Sequence, residues 1–404
     1  MDIYLTDWAN LLLRWLHVIT AIAWIGASFY FVWLDNSLEP PASREDRERG
    51  VSGELWAVHG GGFYNPRKYQ VAPRFMPQNL HWFYWEAYST WLSGFGLLTV
   101  LYLFNANAFL IDKSRFDWSP AAAIAGSLTY LAAGWVFYDL ICRSLGERKG
   151  GDRLVGVLVA FYAVIATWIA CQLFAGRAAF VLTGAMLATI MSANVLMVII
   201  PGQRKMVNAM LAGQKPDPMY GIKAKQRSVH NNYFTLPVLF IMISNHYAMT
   251  YRHEHAWAVL GTIMLAGVLI RHFFNLRHKG RIEWKYPAAG VALLLGLAVA
   301  IAPKPPSRAA AGTDAAAQFA AVRAIVGERC VACHARQPTQ PGFATAPGGV
   351  MLDTPERVHR DAARIYQQTV QTKAMPLANL TNMTDAERAQ IAAWFESGAK
   401  TGKD

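Results

Sequence analysis

Cys330-Val331-Ala332-Cys333-His334 forms a C-x-x-C-H run. Thiols at that spacing can add to the two vinyl groups of one haem while the adjacent imidazole reaches the iron. Zinc would need four ligands, and no second cysteine pair lies nearby. A thioredoxin-like redox pair would need a βαβ setting, which the surrounding pattern lacks. We therefore expect one covalent haem c, attached through Cys330 and Cys333, with His334 as its proximal ligand.

The sixth ligand should be a thioether or a second imidazole. Lys373-Ala374-Met375-Pro376 lies 45 residues beyond Cys330 and is similar to the Met-Pro of small class I cytochromes c. Met375 is the expected ligand, Met383 the runner-up and His359 a weaker candidate. Methionine ligation raises the potential, which suits an electron acceptor. Thr384-Asp385-Ala386-Glu387 reads as a capping box opening a last helix. Ile391, Trp394 and Phe395 give that helix one apolar face.

A second group of candidates lies in the apolar part of the chain, where polar groups are costly and usually functional. It comprises Arg14, His17, Asp139, Asn194, Asn245, His246 and His272, with Glu86 near an edge. His17 falls about 13 Å and His246 about 8 Å below one end of their runs. These two could face each other, while His81, His230 and His272 approach the opposite side. Two tiers of histidine beside a haem c motif suggest haem b with imidazole ligands. The alternative is that each histidine simply hydrogen-bonds a neighbouring helix.

The third group is Trp56-Ala57-Val58-His59-Gly60-Gly61-Gly62-Phe63-Tyr64, followed by Arg67, Lys68 and His81-Trp82-Phe83-Tyr84-Trp85-Glu86. Consecutive glycines leave backbone N–H groups free to cradle an anion, although such a run can equally be a turn. The aromatics could stack a flat ring. His59 or Glu86 could take a proton, Arg67 and Lys68 could pair with an anion, and Tyr64 or Trp82 could supply the stacking face.

The elements that must position these groups follow from composition. Of 404 residues, 54% are hydrophobic and only 16% charged, against about 25% charged in soluble domains. Eight apolar runs are long enough to approach the roughly 30 Å hydrocarbon core: about 8–34, 82–104, 119–142, 154–174, 179–200, 231–251, 255–276 and 286–302. The first is not a cleaved signal peptide, because Asp2 and Asp7 replace a basic leader. The odd loops and their edges hold 21 Lys and Arg, the even loops four. The positive-inside rule then puts the odd loops in the cytoplasm and both termini outside. The net charge of +12 is thus mainly an orientation signal, and nucleic acid is excluded for want of an aromatic-interleaved basic stripe. After 302 a Pro/Ala/Gly-rich linker (303–316) leads to a small helical domain (317–404). Cys142 and Cys171 read as ordinary buried thiols, too far apart to pair. The expected architecture is all-α: an eight-span membrane bundle (1–302) followed by a class I cytochrome c domain.

The loop from Trp56 to Tyr64, the stretch from His81 to Gly94 and the Met375-Pro376-Leu377 end resemble one family, the integral-membrane urate oxidases fused to a C-terminal cytochrome c. The resemblance spans essentially the whole chain. It implies oxidation of urate to 5-hydroxyisourate, with electrons passing through the haem c to a soluble cytochrome c or terminal oxidase of the respiratory chain. It also implies a bacterial inner-membrane protein with a periplasmic cytochrome domain. Urate, a planar monoanion, suits stacking aromatics with cationic and amide donors. A site in cytoplasmic loop one would lie across the bilayer from the haem c, so a relay such as haem b is expected. Two rival readings use the same spans: a quinol–cytochrome c oxidoreductase and a non-catalytic electron conduit.

Overall fold

The computed structural model describes residues 3–69, 73, 75–146, 151–302, 314–341 and 343–402. Arg74, Arg148, Lys149 and most of the 303–316 linker lie outside these residues. Helix α1 (Ile3–Ser37) leads into a loop region holding α2 (Arg44–Glu48) and strands β1 (Val51–Glu54), β2 (Ala57–His59), β3 (Gly62–Tyr64) and β4 (Arg67–Tyr69). Helix α3 (Trp85–Leu98) continues into a π-helical turn, Thr99–Leu103, before the short α4 (Ala106–Phe109). Then come α5 (Pro120–Leu145), α6 (Gly151–Leu173) and α7 (Gly176–Ala193), the last running through a π turn (Asn194–Ile199) into α8 (Ile200–Leu211). Helices α9 (Pro218–Ser244), α10 (Ala248–Tyr251), α11 (Ala256–Arg277) and α12 (Lys285–Ala300) complete the first part. The C-terminal part contains α13 (Ala315–Arg329), α14 (Pro355–Arg360), α15 (Ala362–Tyr366) with its π extension Gln367–Gln371, and α16 (Asp385–Glu396).

The all-α expectation holds. Among the described residues the only sheets are two antiparallel two-stranded ribbons, β1 with β4 and β2 with β3. Among the described residues, five helices are long and apolar enough to cross a membrane: α1, α5, α6, the continuous α7–α8 helix and α11. Helix α12 is apolar but has 16 residues. Helix α9 is long enough, but its run Arg227-Ser228-Val229-His230-Asn231-Asn232-Tyr233 dilutes its hydropathy.

Helix α7 occupies the centre, with Ala178, Ala179, Phe180, Leu182, Met186, Leu187 and Ile190 all buried. Around it, α5, α6, α9 and α11 share one apolar cluster. Small residues permit close approach, as in membrane bundles generally; a Cβ on Gly184 of α7 would meet Ile241 of α9. Helix α1 is peripheral and exposes Trp8, Trp15, Ile19 and Ile22. Such a continuous apolar surface belongs against lipid rather than water.

Helix α1 docks on α3 through glycines. Gly96 lies under Leu13, and a Cβ on Gly94 would fall 2.8 Å from His17 Cε1. The imidazole is pinned there, its Nδ1 at 3.0 Å from the Thr90 carbonyl oxygen and 3.2 Å from Ser93 Oγ. Gly94→Ala is therefore expected to force the ring off Thr90 and cost about 1–3 kcal/mol by overpacking. A detergent melt matching the parent protein would refute that packing.

The C-terminal part has its own core, formed by Phe319, Val322, Ile325, Val326, Leu352, Val358, Ile365, Met383, Ile391 and Trp394. Its first and last helices meet where Phe319 stacks on Trp394, 5.6 Å between centroids. The capping box is present: the Thr384 hydroxyl accepts from the Glu387 N–H while the Glu387 carboxylate accepts from the Thr384 N–H. Glu387 also receives Arg329 Nε at 2.9 Å.

Those bonds, the Thr384 backbone N–H foremost, hold the Glu387 carboxyl below the usual carboxylate range. A depressed folded pKa contributes stability that is complete above the unfolded value of about 4.3 and is lost as pH falls through the folded value. Melting of the full chain, followed at the C-terminal part, should accordingly fall as the pH drops below the unfolded value of about 4.3. Glu387→Gln should flatten that drop and lower stability at neutral pH. An unchanged pH profile in the variant would show that Glu387 is not responsible.

Candidate functional site

In the C-terminal part the chain leaves α13 at Arg329 and turns tightly through the C-x-x-C-H run. The His334 N–H donates to the Cys330 carbonyl at 2.9 Å, and the Cys333 N–H to the same oxygen at 3.2 Å. Neither cysteine is paired in a disulfide, and Cys330 is buried. His334 Nδ1 lies 3.0 Å from the Val350 carbonyl. A bond to that carbonyl makes Nδ1 the protonated nitrogen and leaves Nε2 free to ligate, the usual outer-shell arrangement of a metal-bound imidazole. Two unbridged cysteines and an imidazole so oriented fit a covalent haem c.

The methionines divide clearly. Met383 is 3% exposed and packed within the domain core, whereas Met375 is half-buried. The backbone on either side of Met375 is held firmly. Its N–H donates to Gln368 O at 2.9 Å, and buried Arg388 donates to its carbonyl at 2.9 Å and to the Thr369 carbonyl. His359 is exposed on α14.

This methionine segment is also where the two parts of the chain meet. Arg252, just after α10, donates to the Ala374 carbonyl at 3.0 Å and the Pro376 carbonyl at 3.5 Å. Around that contact Phe109, Asp112, Arg177, Tyr251, Arg252 and Leu377 line a small cavity. The first five come from even loops or their edges, so the C-terminal part sits on the even-loop face. Beneath it, Asn245 Oδ1 accepts from Arg177 Nε at 3.1 Å and from the Tyr102 hydroxyl at 3.2 Å.

Towards the opposite face a buried polar spine runs along α9. Arg227, 4% exposed, donates to Asp139 Oδ1 of α5 at 2.6 Å and to Asn194 Oδ1 at 3.2 Å. Its guanidinium lies 4.9 Å from the Tyr138 ring centroid. Asn194 Nδ2 donates to Asn231 Oδ1 at 2.8 Å and to the Tyr138 hydroxyl oxygen at 3.0 Å. The Tyr138 O–H is thereby free to donate to His230 Nδ1, 2.8 Å away. One residue on, Asn232 turns to α11: its Oδ1 accepts from Arg271 Nε at 2.9 Å and Asn275 Nδ2 at 3.0 Å. The Tyr233 hydroxyl lies 2.7 Å from His272 Nδ1. The π turn beginning at Asn194 is in keeping with the occurrence of such turns at functional sites.

Among the expected residues, His17, His230 and His272 each engage a neighbouring helix through Nδ1. His246 is exposed at the end of α9, and His81 is exposed with its ring edge-on to Phe83. Among the described residues no hydrogen bond or ring contact joins His17 to His246, or any two of His81, His230 and His272. No three His, Cys, Asp or Glu side chains converge there on a metal-sized site.

In the first loop, Gly60 and Gly61 have φ of 57° and 81° and close the β2–β3 hairpin. A two-residue hairpin turn with positive φ at both positions calls for such glycines. His59 and Tyr64 are exposed on this hairpin. Arg67 pairs with Asp46 at 3.0 Å, and Lys68 pairs with Asp35 at the end of α1. The Ala42 N–H, donating to Glu54 at 2.8 Å, holds that carboxyl below its usual range. Trp82 packs with Tyr84 and Tyr88 against Val195, Ile199 and Ala224, and Arg204 lies 6.0 Å from its ring. Glu86 is half-buried in the first turn of α3.

Charge counting assigns Arg227 and Arg271 to the inner loops, yet both are buried in the bundle. Tyr138, Asn231, Asn232 and Asn275 also fall outside the sequence-derived candidates. The cluster of polar residues inside an otherwise apolar helical run, His230-Asn231-Asn232-Tyr233, was the available signal.

Fold and buried sites together define a helical-bundle membrane protein whose C-terminal part carries a C-x-x-C-H motif. Its family is shown by comparison: the family model described as urate oxidase N-terminal matches residues 3–302, and the chain belongs to that urate oxidase family. No curated protein and no solved structure matches the chain.

Proposed function

We propose that the chain is a membrane-bound urate oxidase that passes electrons through its own C-terminal domain to the respiratory chain. Family membership supports urate as the substrate. The observation that carries the electron path is Arg252, whose guanidinium grips the carbonyls on both sides of Met375. That contact holds the methionine edge of the C-terminal domain against the even-loop face.

The reaction sets the requirements. Urate monoanion and water give 5-hydroxyisourate, two electrons and one proton, so a one-electron acceptor must be used twice. Cys330, Cys333, His334 and Met375 would hold a haem c, which would supply one-electron transfer at a potential raised by the thioether. The chain's own residues bind urate, take its proton and fix the C-terminal domain over the bundle. An outward C-terminal domain is the arrangement that the lysine and arginine bias supports. His17, with Nδ1 beside a backbone carbonyl, is the histidine best prepared to ligate a haem b.

Stoichiometry tests this reading against an oxygen-dependent urate oxidase. Membranes supplied with ferricyanide under argon should consume two ferricyanide per urate and form 5-hydroxyisourate. Urate oxidation that requires oxygen and releases peroxide would overturn the proposed electron path.

A further inference from the structure

Among the described residues, Arg271 is a buried cation without a counter-ion. Its side chain is 4% exposed, and among the described residues no carboxylate lies within ion-pair distance of it. Its guanidinium lies 3.9 Å from the Phe29 ring centroid of α1, while its Nε donates to Asn232. Asn275, one turn further along α11, donates to that same Asn232 oxygen. Among the described residues, three buried polar atoms are left unspent by this arrangement: Arg271 Nη2, Asn232 Nδ2 and Asn275 Oδ1.

A purely structural clasp between α9 and α11 would be expected to spend these atoms. Burying a guanidinium is costly without an anion, and buried donors without acceptors are costly too. The contrast with Arg227 is direct, because that neighbouring guanidinium has Asp139. What Arg271 lacks is a small anion that accepts two hydrogen bonds and returns one. Urate has this form: a planar monoanion whose edges alternate carbonyl oxygens with ring N–H groups. The guanidinium provides charge and a planar donor edge.

We propose that Arg271, Asn232 and Asn275 recognise urate, resting on the urate-oxidase reading above. Arg271 Nη2 and Asn232 Nδ2 donate to the acceptor edge of the anion, and Asn275 Oδ1 accepts one of its N–H groups. Phe29 holds the guanidinium plane. The site lies six residues, about 9 Å, from the end of α11 remote from the C-terminal domain. Substrate would therefore enter from the odd-loop side.

The test is equilibrium dialysis of radiolabelled urate against the full-length holoprotein in detergent, reduced beforehand with dithionite so that bound urate is not oxidised. Wild-type protein should bind. Arg271→Gln should weaken binding about 100-fold and Asn275→Ala about 10-fold, matching the loss of charged and neutral hydrogen bonds respectively. Arg271→Lys, which keeps the charge without the fork, should fall between wild type and Arg271→Gln. Wild-type affinity in Arg271→Gln, with urate still oxidised, overturns the site and leaves the urate reading intact. Should Arg271→Gln fail to fold, Asn275→Ala decides, and wild-type affinity there overturns the site equally. Wild-type protein that neither binds nor oxidises urate overturns the functional reading itself.

Discussion

Replacing Met375 with alanine is expected to lower the midpoint potential of the C-terminal domain by roughly 0.2 V, within the about 0.8 V range that axial ligation commands. The expectation rests on how the candidate ligands are placed. Met383 is committed to the domain core and His359 points from an exposed helix surface, while Met375 is half-buried on a segment held from both sides. Arg388 and Gln368 fix its backbone from within the domain, and Arg252 fixes it from the membrane part. The scaffold should therefore survive loss of the thioether, so the change reads out ligation rather than unfolding. A lower potential would slow urate-driven reduction while leaving dithionite reduction complete. An unchanged potential would transfer the ligand role to another residue.

The largest effect on stability is expected at Arg227. Arg227→Met leaves Asp139 14% exposed and removes its buried partner, which typically costs about 3–5 kcal/mol. Arg143 also reaches Asp139 at 2.6 Å but is itself 68% exposed, so the loss should fall near the lower end of that range. Against total stabilities of about 5–15 kcal/mol, such a loss is large. Asp139→Leu in the same chain should recover much of it, because a matched apolar pair costs less than one stranded charge. The measurement is denaturation of both variants in the same detergent. A single variant as stable as the parent, or a double variant no better than the single, would remove Arg227–Asp139 as the organising pair of the spine.

How much was legible in the sequence depended on whether a signal was local. C-x-x-C-H and the Thr384–Glu387 capping box are read from neighbouring residues, and the structure opens α16 at that box. The even-loop face was legible from charge bias and coincides with the side on which the C-terminal domain rests. Other features depend on three-dimensional placement. Arg227 and Arg271 count as loop charges until α9 and α11 are seen to bury them. The same burial of polar groups explains why α9 falls below the apolarity of a simple span. Gly60 and Gly61 carry either a cradle or a turn in sequence, and their positive φ places them in a hairpin turn. Arg67 and Lys68 look available until Asp46 and Asp35, from distant sequence, are found beside them.

Urate electrons are proposed to reach the C-terminal domain of the same chain. The most direct measurement mixes the full-length protein in its native membranes with urate under strict anaerobiosis and follows the absorbance of the haem c proposed for the C-terminal domain. Reduction by urate alone is expected. A spectrum that stays oxidised with urate, yet reduces fully with dithionite, would contradict it.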